Sequence, residues 1–267
     1  MAFTLVELVM VIVVLAILAT GSVKFISQSA RGMVDSAERQ VLASTASIAM
    51  EKVLRQVRRA LPNSVRAFED NGNNCIEFVP ILHSSEYVSV PIASAETDFD
   101  AIAFSNAVGG ESGYVAVYSI SESSVYGNSP DTDRSISTTV ASAGTPSANL
   151  QTITFEPLSS YRFPTGSPRK RFYLVSDPIS FCEDANGRLW RYQNYGFHPD
   201  SRNSIPTSGA DSILIADSLQ VNSLSFNILQ AQLQRNAVIR MSLVIVRSNT
   251  SLERLELSQE VQLRNVP

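Results

Sequence analysis

One carboxylate sits where a carboxylate is expensive. Residues 3–20 (FTLVELVMVIVVLAILAT) form an apolar run whose only charge is Glu7. About eighteen helical residues at roughly 1.5 Å each span about 27 Å, close to the hydrocarbon thickness of a bilayer. An ionised side chain inside such a run costs at least about 2.5 kcal/mol near the bilayer centre, so it demands a partner. No Lys, Arg or His lies between Met1 and Thr20. The partner is therefore expected from another chain, from the N-terminal amine, or from both. The chemistry is charge pairing in lipid, which is recognition rather than catalysis.

Other residue groups offer weaker chemistry. The two histidines, His83 and His198, lie in different segments with no matching Cys or carboxylate motif, and they read as structural or surface groups. No G-x-S-x-G, P-loop, H-E-x-x-H or paired C-x-x-C occurs. Gly109-Gly110-Glu111-Ser112-Gly113 has the composition of a nucleophile or phosphate loop, but no helix pattern follows, and a turn between strands accounts for it. Asp184-Ala185-Asn186-Gly187 opens like a calcium loop without the bidentate Glu that should close one, so a β-turn is expected. Pro130-Asp131-Thr132-Asp133 is the other candidate for calcium, and a surface loop is the simpler reading. The chain is expected not to be an enzyme, and to need no metal or other cofactor.

The elements that position these residues follow from periodicity. Charged residues are 17% of the 267, the net charge is −4, and no basic patch suggests nucleic acid as a partner. The helical pattern continues past the apolar run. Val34, Ala37, Val41, Ile48, Leu54, Val57 and Leu61 draw one stripe, and Arg residues gather near its end, where they suit the helix dipole. Pro62 stops it, so a helix over 3–61 is predicted. After Pro62 the period becomes two. Strands are expected at 76–82, 87–92, 98–104, 114–121, 150–156, 170–176, 179–183, 188–193, 213–217 leading into 219–229, 237–247 and 252–264, the last two as a hairpin. Residues 122–148 and 194–211 read as long irregular loops. The fold class is α+β, a long helix packed on a large antiparallel β-rich head, divided as 1–2, 3–20, 21–61 and 62–267.

Phe3-Thr4-Leu5-Val6-Glu7 resembles the mature start of type IV pilins and pseudopilins. In that family a basic leader is cut before the Phe, the new amine is methylated, and the Glu meets a neighbour's amine as the filament assembles. The resemblance implies cleavage between Ala2 and Phe3 by a prepilin peptidase, N-methylation of Phe3, and assembly through Glu7. Ala2 stands where the family usually has Gly, and the leader is reduced to Met-Ala, as a start codon placed inside a longer leader would leave it. The competing reading, a cleaved signal peptide, gives no reason for Glu inside the apolar run. The helix also lacks the bending Pro common in major pilins.

The stretches Arg55–Pro62 (RQVRRALP), Cys75-Ile76-Glu77-Phe78, Tyr173–Pro178 (YLVSDP), Phe181-Cys182, Leu189-Trp190-Arg191-Tyr192 and the closing VQLRNVP are similar to the MSHA (mannose-sensitive haemagglutinin) pilus biogenesis protein O group. That group is related to the J pseudopilin of type II secretion and to W-type minor pilins. The resemblance implies a minor pilin rooted in the inner membrane with a periplasmic head. It would help initiate or cap a filament, with other pilin-like subunits, the assembly platform and the lipid bilayer as partners. The alternatives are a J-like pseudopilin and a membrane-tethered periplasmic ligand-binding module. In an oxidising periplasm Cys75 and Cys182, the only two cysteines, are expected to form a disulfide, against two buried free thiols.

Overall fold

The computed structural model describes residues 4–70, 72–105, 109–127, 134–156, 159–198, 209–229, 237–247 and 250–263. The chain forms two compact units, Met1–Thr45 and Ala46–Pro267. One helix, α1 (Leu5–Val57, 53 residues), carries the chain from the first unit into the second.

In the first unit the helix is solitary. Every side chain from Thr4 to Ala37 is exposed, including Leu5, Ile12, Leu15 and Leu18. An eighteen-residue window within it is long and apolar enough to cross a membrane, and none of that window is buried. Thr20, at the end of the apolar run, donates its hydroxyl to the carbonyls of Ala16 and Ile17 at 3.0 Å each, so even this polar group needs no solvent.

In the second unit the last three turns of α1 are buried on one face. Ala46, Ala49, Met50, Val53, Leu54 and Val57 recur at steps of three and four and are 0–2% exposed. This corrects the expected stripe. Leu54 and Val57 belong to it, but Val34, Val41 and Ile48 are 54%, 62% and 54% exposed. The buried face is shifted because two of its positions are alanines, which carry little hydrophobic signal but allow close packing. The helix also stops four residues earlier than predicted. Arg59 N–H bonds the Gln56 carbonyl and Ala60 N–H that of Val57, a tightening that ends α-geometry before Leu61 and buried Pro62.

Among the described residues, fourteen strands and one short helix follow: β1 (Arg66–Asp70), β2 (Asn73–Phe78), β3 (Ile81–Glu86), β4 (Asp98–Ile102), β5 (Ser112–Ala116), α2 (Glu122–Tyr126), β6 (Ile136–Ala143), β7 (Leu150–Phe155), β8 (Arg171–Val175), β9 (Ile179–Glu183), β10 (Leu189–Gln193), β11 (Asp211–Ala216), β12 (Ser225–Leu229), β13 (Ala237–Arg247) and β14 (Thr250–Leu263). They make a five-stranded sheet β1-β2-β9-β10-β11, a six-stranded sheet β3-β8-β5-β6-β7-β4 and a three-stranded sheet β12-β13-β14. Every strand pair is antiparallel. The α+β class is as expected, and β13 pairs with β14 as the predicted closing hairpin.

Several strand predictions are corrected. The 76–82 strand is two strands in different sheets, broken at Val79-Pro80, since Pro has no N–H for a ladder. Residues 87–92 are not a strand: Tyr87 alone bridges to Ala101. Residues 98–104 end as a strand at Ile102, and 114–121 is replaced by Ser112–Ala116. β1 was not expected. The 122–148 stretch is not a loop throughout, for it holds α2 and β6. The expected loop over 194–211 falls mostly on residues outside those described.

The six-stranded sheet is covered on both faces. Along β8, Phe172 and Leu174 point into one apolar cluster with Phe99, Phe155 and Phe163. Tyr173 and Val175 point into another with Leu61, Val79, Val125 and Ile136. Such a strand reads as a continuous apolar run rather than an alternation.

Candidate functional site

Glu7 lies in the first turn of α1, and the chain itself supplies part of its partnership. Thr4 is the N-cap. Its backbone N–H and its hydroxyl donate to Glu7 Oε2 at 3.5 and 3.4 Å, and Glu7 N–H donates back to Thr4 Oγ1 at 3.4 Å. This is the reciprocal arrangement of a capping box. T-x-x-E is thus itself a helix start, but Thr4 brings no charge to offset that of the carboxylate. The contacts are long and the carboxylate is exposed, so Glu7 keeps capacity for a cation. Ala2 and Phe3, the predicted cleavage and methylation positions, lie outside the described residues.

Cys75 and Cys182 form a disulfide, with Cα atoms 4.3 Å apart. They stand directly opposite each other in the β2–β9 register, at the close spacing of a non-hydrogen-bonded antiparallel pair. Both are buried, and Phe68 and Tyr192 pack around them. The bridge spans 107 residues of sequence. On the chain-entropy account, that constrains the unfolded state by up to about 4.7 kcal/mol.

Two residues along β2 from the bridge, the interior holds a polar centre that sequence reasoning missed. Arg66 Nε pairs with Glu77 Oε2, both side chains being almost wholly buried. Glu77 Oε1 accepts from the Tyr195 hydroxyl at 2.9 Å, and that hydroxyl also bonds Ser180 Oγ. Arg66 Nη2 donates to the His198 carbonyl at 2.7 Å, and its guanidinium lies 3.7 Å over the Tyr126 ring. Tyr126 donates to the Ser64 carbonyl at 2.8 Å. Burial pushes both phenols well above their usual range, and the Glu77 charge pushes them further. They stay neutral and act as donors. A signal existed: Glu77 interrupts the apolar series Cys75-Ile76-Phe78-Val79. The arrangement tethers β1 and β2 to α2 and to the segment after β10. A buried pair with its partners in place is a structural device.

The remaining candidates resolve into turns. Asp184 accepts from Asn186 N (2.9 Å), Arg188 N (3.0 Å), Arg188 Nε (2.8 Å) and Trp190 Nε1 (3.0 Å). Its carboxylate closes a β-turn, and Gly187 there has φ +68° with the Leu219 carbonyl against its Cα. In the glycine-rich stretch, a Cβ at Gly113 would stand 2.6 Å from the Val175 carbonyl. That glycine serves the β5–β8 contact. His83 stacks on Phe104 at 4.8 Å. The Asp131–Asp133 candidate lies outside the described residues. Among the described residues no three His, Cys, Asp or Glu gather as metal ligands.

Compared with protein-family models, with curated proteins and with solved structures, the chain matches none.

Proposed function

We propose that this chain is a minor pilin, a rare subunit of a type IV pilus of the MSHA kind, which helps initiate or cap the filament from the inner membrane. In this reading a prepilin peptidase cuts between Ala2 and Phe3 and Phe3 is methylated. The apolar half of α1 waits in the bilayer with the β-rich head in the periplasm, and the assembly platform lifts the subunit into a helical bundle. Glu7 docks the amine of a neighbouring pilin-like subunit, and the surface of residues 3–20 exchanges lipid for other such helices. The observation that carries this reading is Glu7: one carboxylate in the first turn of a helix that carries no other charge as far as Thr20 and is exposed throughout that stretch. Capping alone would serve a plain tether as well, but the long contacts to Thr4 leave the carboxylate exposed and able to take a neighbour's cation.

The test is site-specific crosslinking between this subunit and other pilin-like subunits in membranes. Glu7→Leu should insert as well as the parent or better, because a costly charge leaves the lipid. Its crosslinks and the number of filaments should fall together. Undiminished crosslinking with normal piliation in Glu7→Leu would sink the docking role.

A further inference from the structure

A groove of about 490 Å³ opens on the head between the end of α1 and the start of β8, lined by Arg58, Arg169, Arg171, Ser84 and Tyr173. Its three guanidiniums come from two places distant in sequence. The segment after α1 is pinned beside β3: Ala60 bridges to Pro80, Ile81 N–H bonds the Arg59 carbonyl at 2.8 Å, and Arg59 Nη2 donates to the Ile81 carbonyl at 3.2 Å. This fixes the backbone of Arg58 at the groove wall. On the other side Lys170 takes φ +54°, with its N–H on the Ser167 carbonyl and its own carbonyl accepting from Tyr87. Lys170 Nζ turns to the Val88 carbonyl at 3.5 Å and does not line the groove, whereas the arginines on either side of it do.

These arginines differ from the chain's other structural cations. Arg66, Arg188 and Arg240 each hold a carboxylate. The side chains of Arg58, Arg169 and Arg171 make no ion pair or hydrogen bond with a described residue. Glu86 stands opposite Arg171 in the β3–β8 register but is not ion-paired with it. Arg58 and Arg169 are exposed and Arg171 is partly so; three like charges lining one groove in a protein of net charge −4 make a local positive field that favours a negative ligand there. Guanidinium presents its donors as a planar fork that matches carboxylate and phosphate oxygens, and the Ser84 hydroxyl adds a neutral donor beside it. The volume suits a small molecule rather than a chain segment.

We propose that this groove is a binding site for a small multivalent oxyanion, a phosphate ester or a polycarboxylate. The inference does not rest on the filament role: it concerns the head alone and holds whether or not Glu7 docks a neighbour.

Isothermal titration of the full-length chain in non-ionic detergent at low ionic strength tests it, with inorganic pyrophosphate and citrate as separate probes. Saturable binding of one anion per chain is expected for at least one probe, and which probe binds says whether phosphate or carboxylate is the preferred group. Arg169→Gln and Arg171→Gln should each weaken binding about tenfold, and the pair should abolish it. Arg171→Lys, which keeps the charge and loses the fork, should fall between. Arg55→Gln, outside the groove, should bind like the parent. Thermal unfolding of each variant without ligand keeps loss of fold distinct from loss of site. Absence of saturable binding for both probes would overturn the proposal. So would binding that survives the double substitution, or that Arg55→Gln weakens as much as Arg171→Gln does.

Discussion

At the scale of single residues, the question is which carboxylates spend their charge within the chain. Glu77 pairs with Arg66 and accepts from Tyr195 in the buried interior. Asp184 accepts from four N–H donors and is ion-paired with Arg188 Nη2 at 2.7 Å, and against the opposing effect of burial these hold its carboxyl below the usual range. Unfolded, it titrates near about 3.9. Its stabilising contribution is therefore full above that value and is lost as pH falls through the lower folded one. Asp184→Ala should cost about 2 kcal/mol at pH 7, and the gap from the parent should shrink below about pH 3. Chemical denaturation at the two pH values, followed by far-ultraviolet circular dichroism, measures it. A gap of equal size at both would show that the charge is not what matters. Glu7 differs from both because, among the described residues, its carboxylate makes only the long contacts to Thr4. Thr4→Val therefore separates capping from docking. It removes the cap, worth about 1 kcal/mol, and leaves the carboxylate free for a neighbour. Crosslinking should survive in Thr4→Val and fail in Glu7→Leu. Equal failure in both would assign Glu7 to the helix start alone.

At the scale of elements, what could be read from the sequence was what periodicity announces. β9 and β13 match their predicted limits because each is an apolar run between turn residues. Pro62 correctly announced that the helix must stop, though not that it stops at Val57. The misses share a cause: polar or small residues doing work normally signalled by apolar ones. β6 (ISTTVASA) is rich in Ser, Thr and Ala and was read as loop. In the fold Ser137 is wholly buried, its hydroxyl accepting from Val115 N–H at 2.9 Å and donating to the Thr139 carbonyl at 2.7 Å. α2 is started by serines, with Ser121 and Ser124 capping each other. The phase of α1 was misjudged in the same way, since Ala46 and Ala49 contribute burial without contrast. The two versions of the buried face differ in a measurable way. Leu54→Ala should cost about 2–5 kcal/mol, the range for a fully buried leucine. Ile48→Ala, at a half-exposed position of the stripe first drawn, should stay within about 0.5 kcal/mol in an isolated chain. Denaturation of the two purified variants decides between the faces, and comparable losses would restore the original stripe.

At the scale of the whole molecule, the sequence carried the α+β class and the cysteine pair, two cysteines in an otherwise cysteine-free chain; Glu7 is legible as a charge in an apolar run, and its docking role belongs to the proposal. The Arg66–Glu77 centre and the arginine groove were not legible, because each joins residues whose proximity only the sheet topology creates. Size adds the last consequence of the proposed role. A major subunit must pack against copies of itself on every side, so its head has to be small. More than two hundred residues follow the helix here, from Arg58 to Pro267, and repeating that bulk at every step of a helical shaft would set heads against one another. A subunit at the tip has no neighbour above it, and it need not carry the proline that bends the helices of a regular shaft. Low copy number and a place at or near the tip are therefore expected, with contacts to other minor subunits. Loss of the protein should reduce the number of filaments more than their length or thickness. Quantitative mass spectrometry of sheared filaments measures the copy number directly. Finding this chain as abundant as the major subunit along the shaft would overturn the tip assignment while leaving the docking role of Glu7 intact.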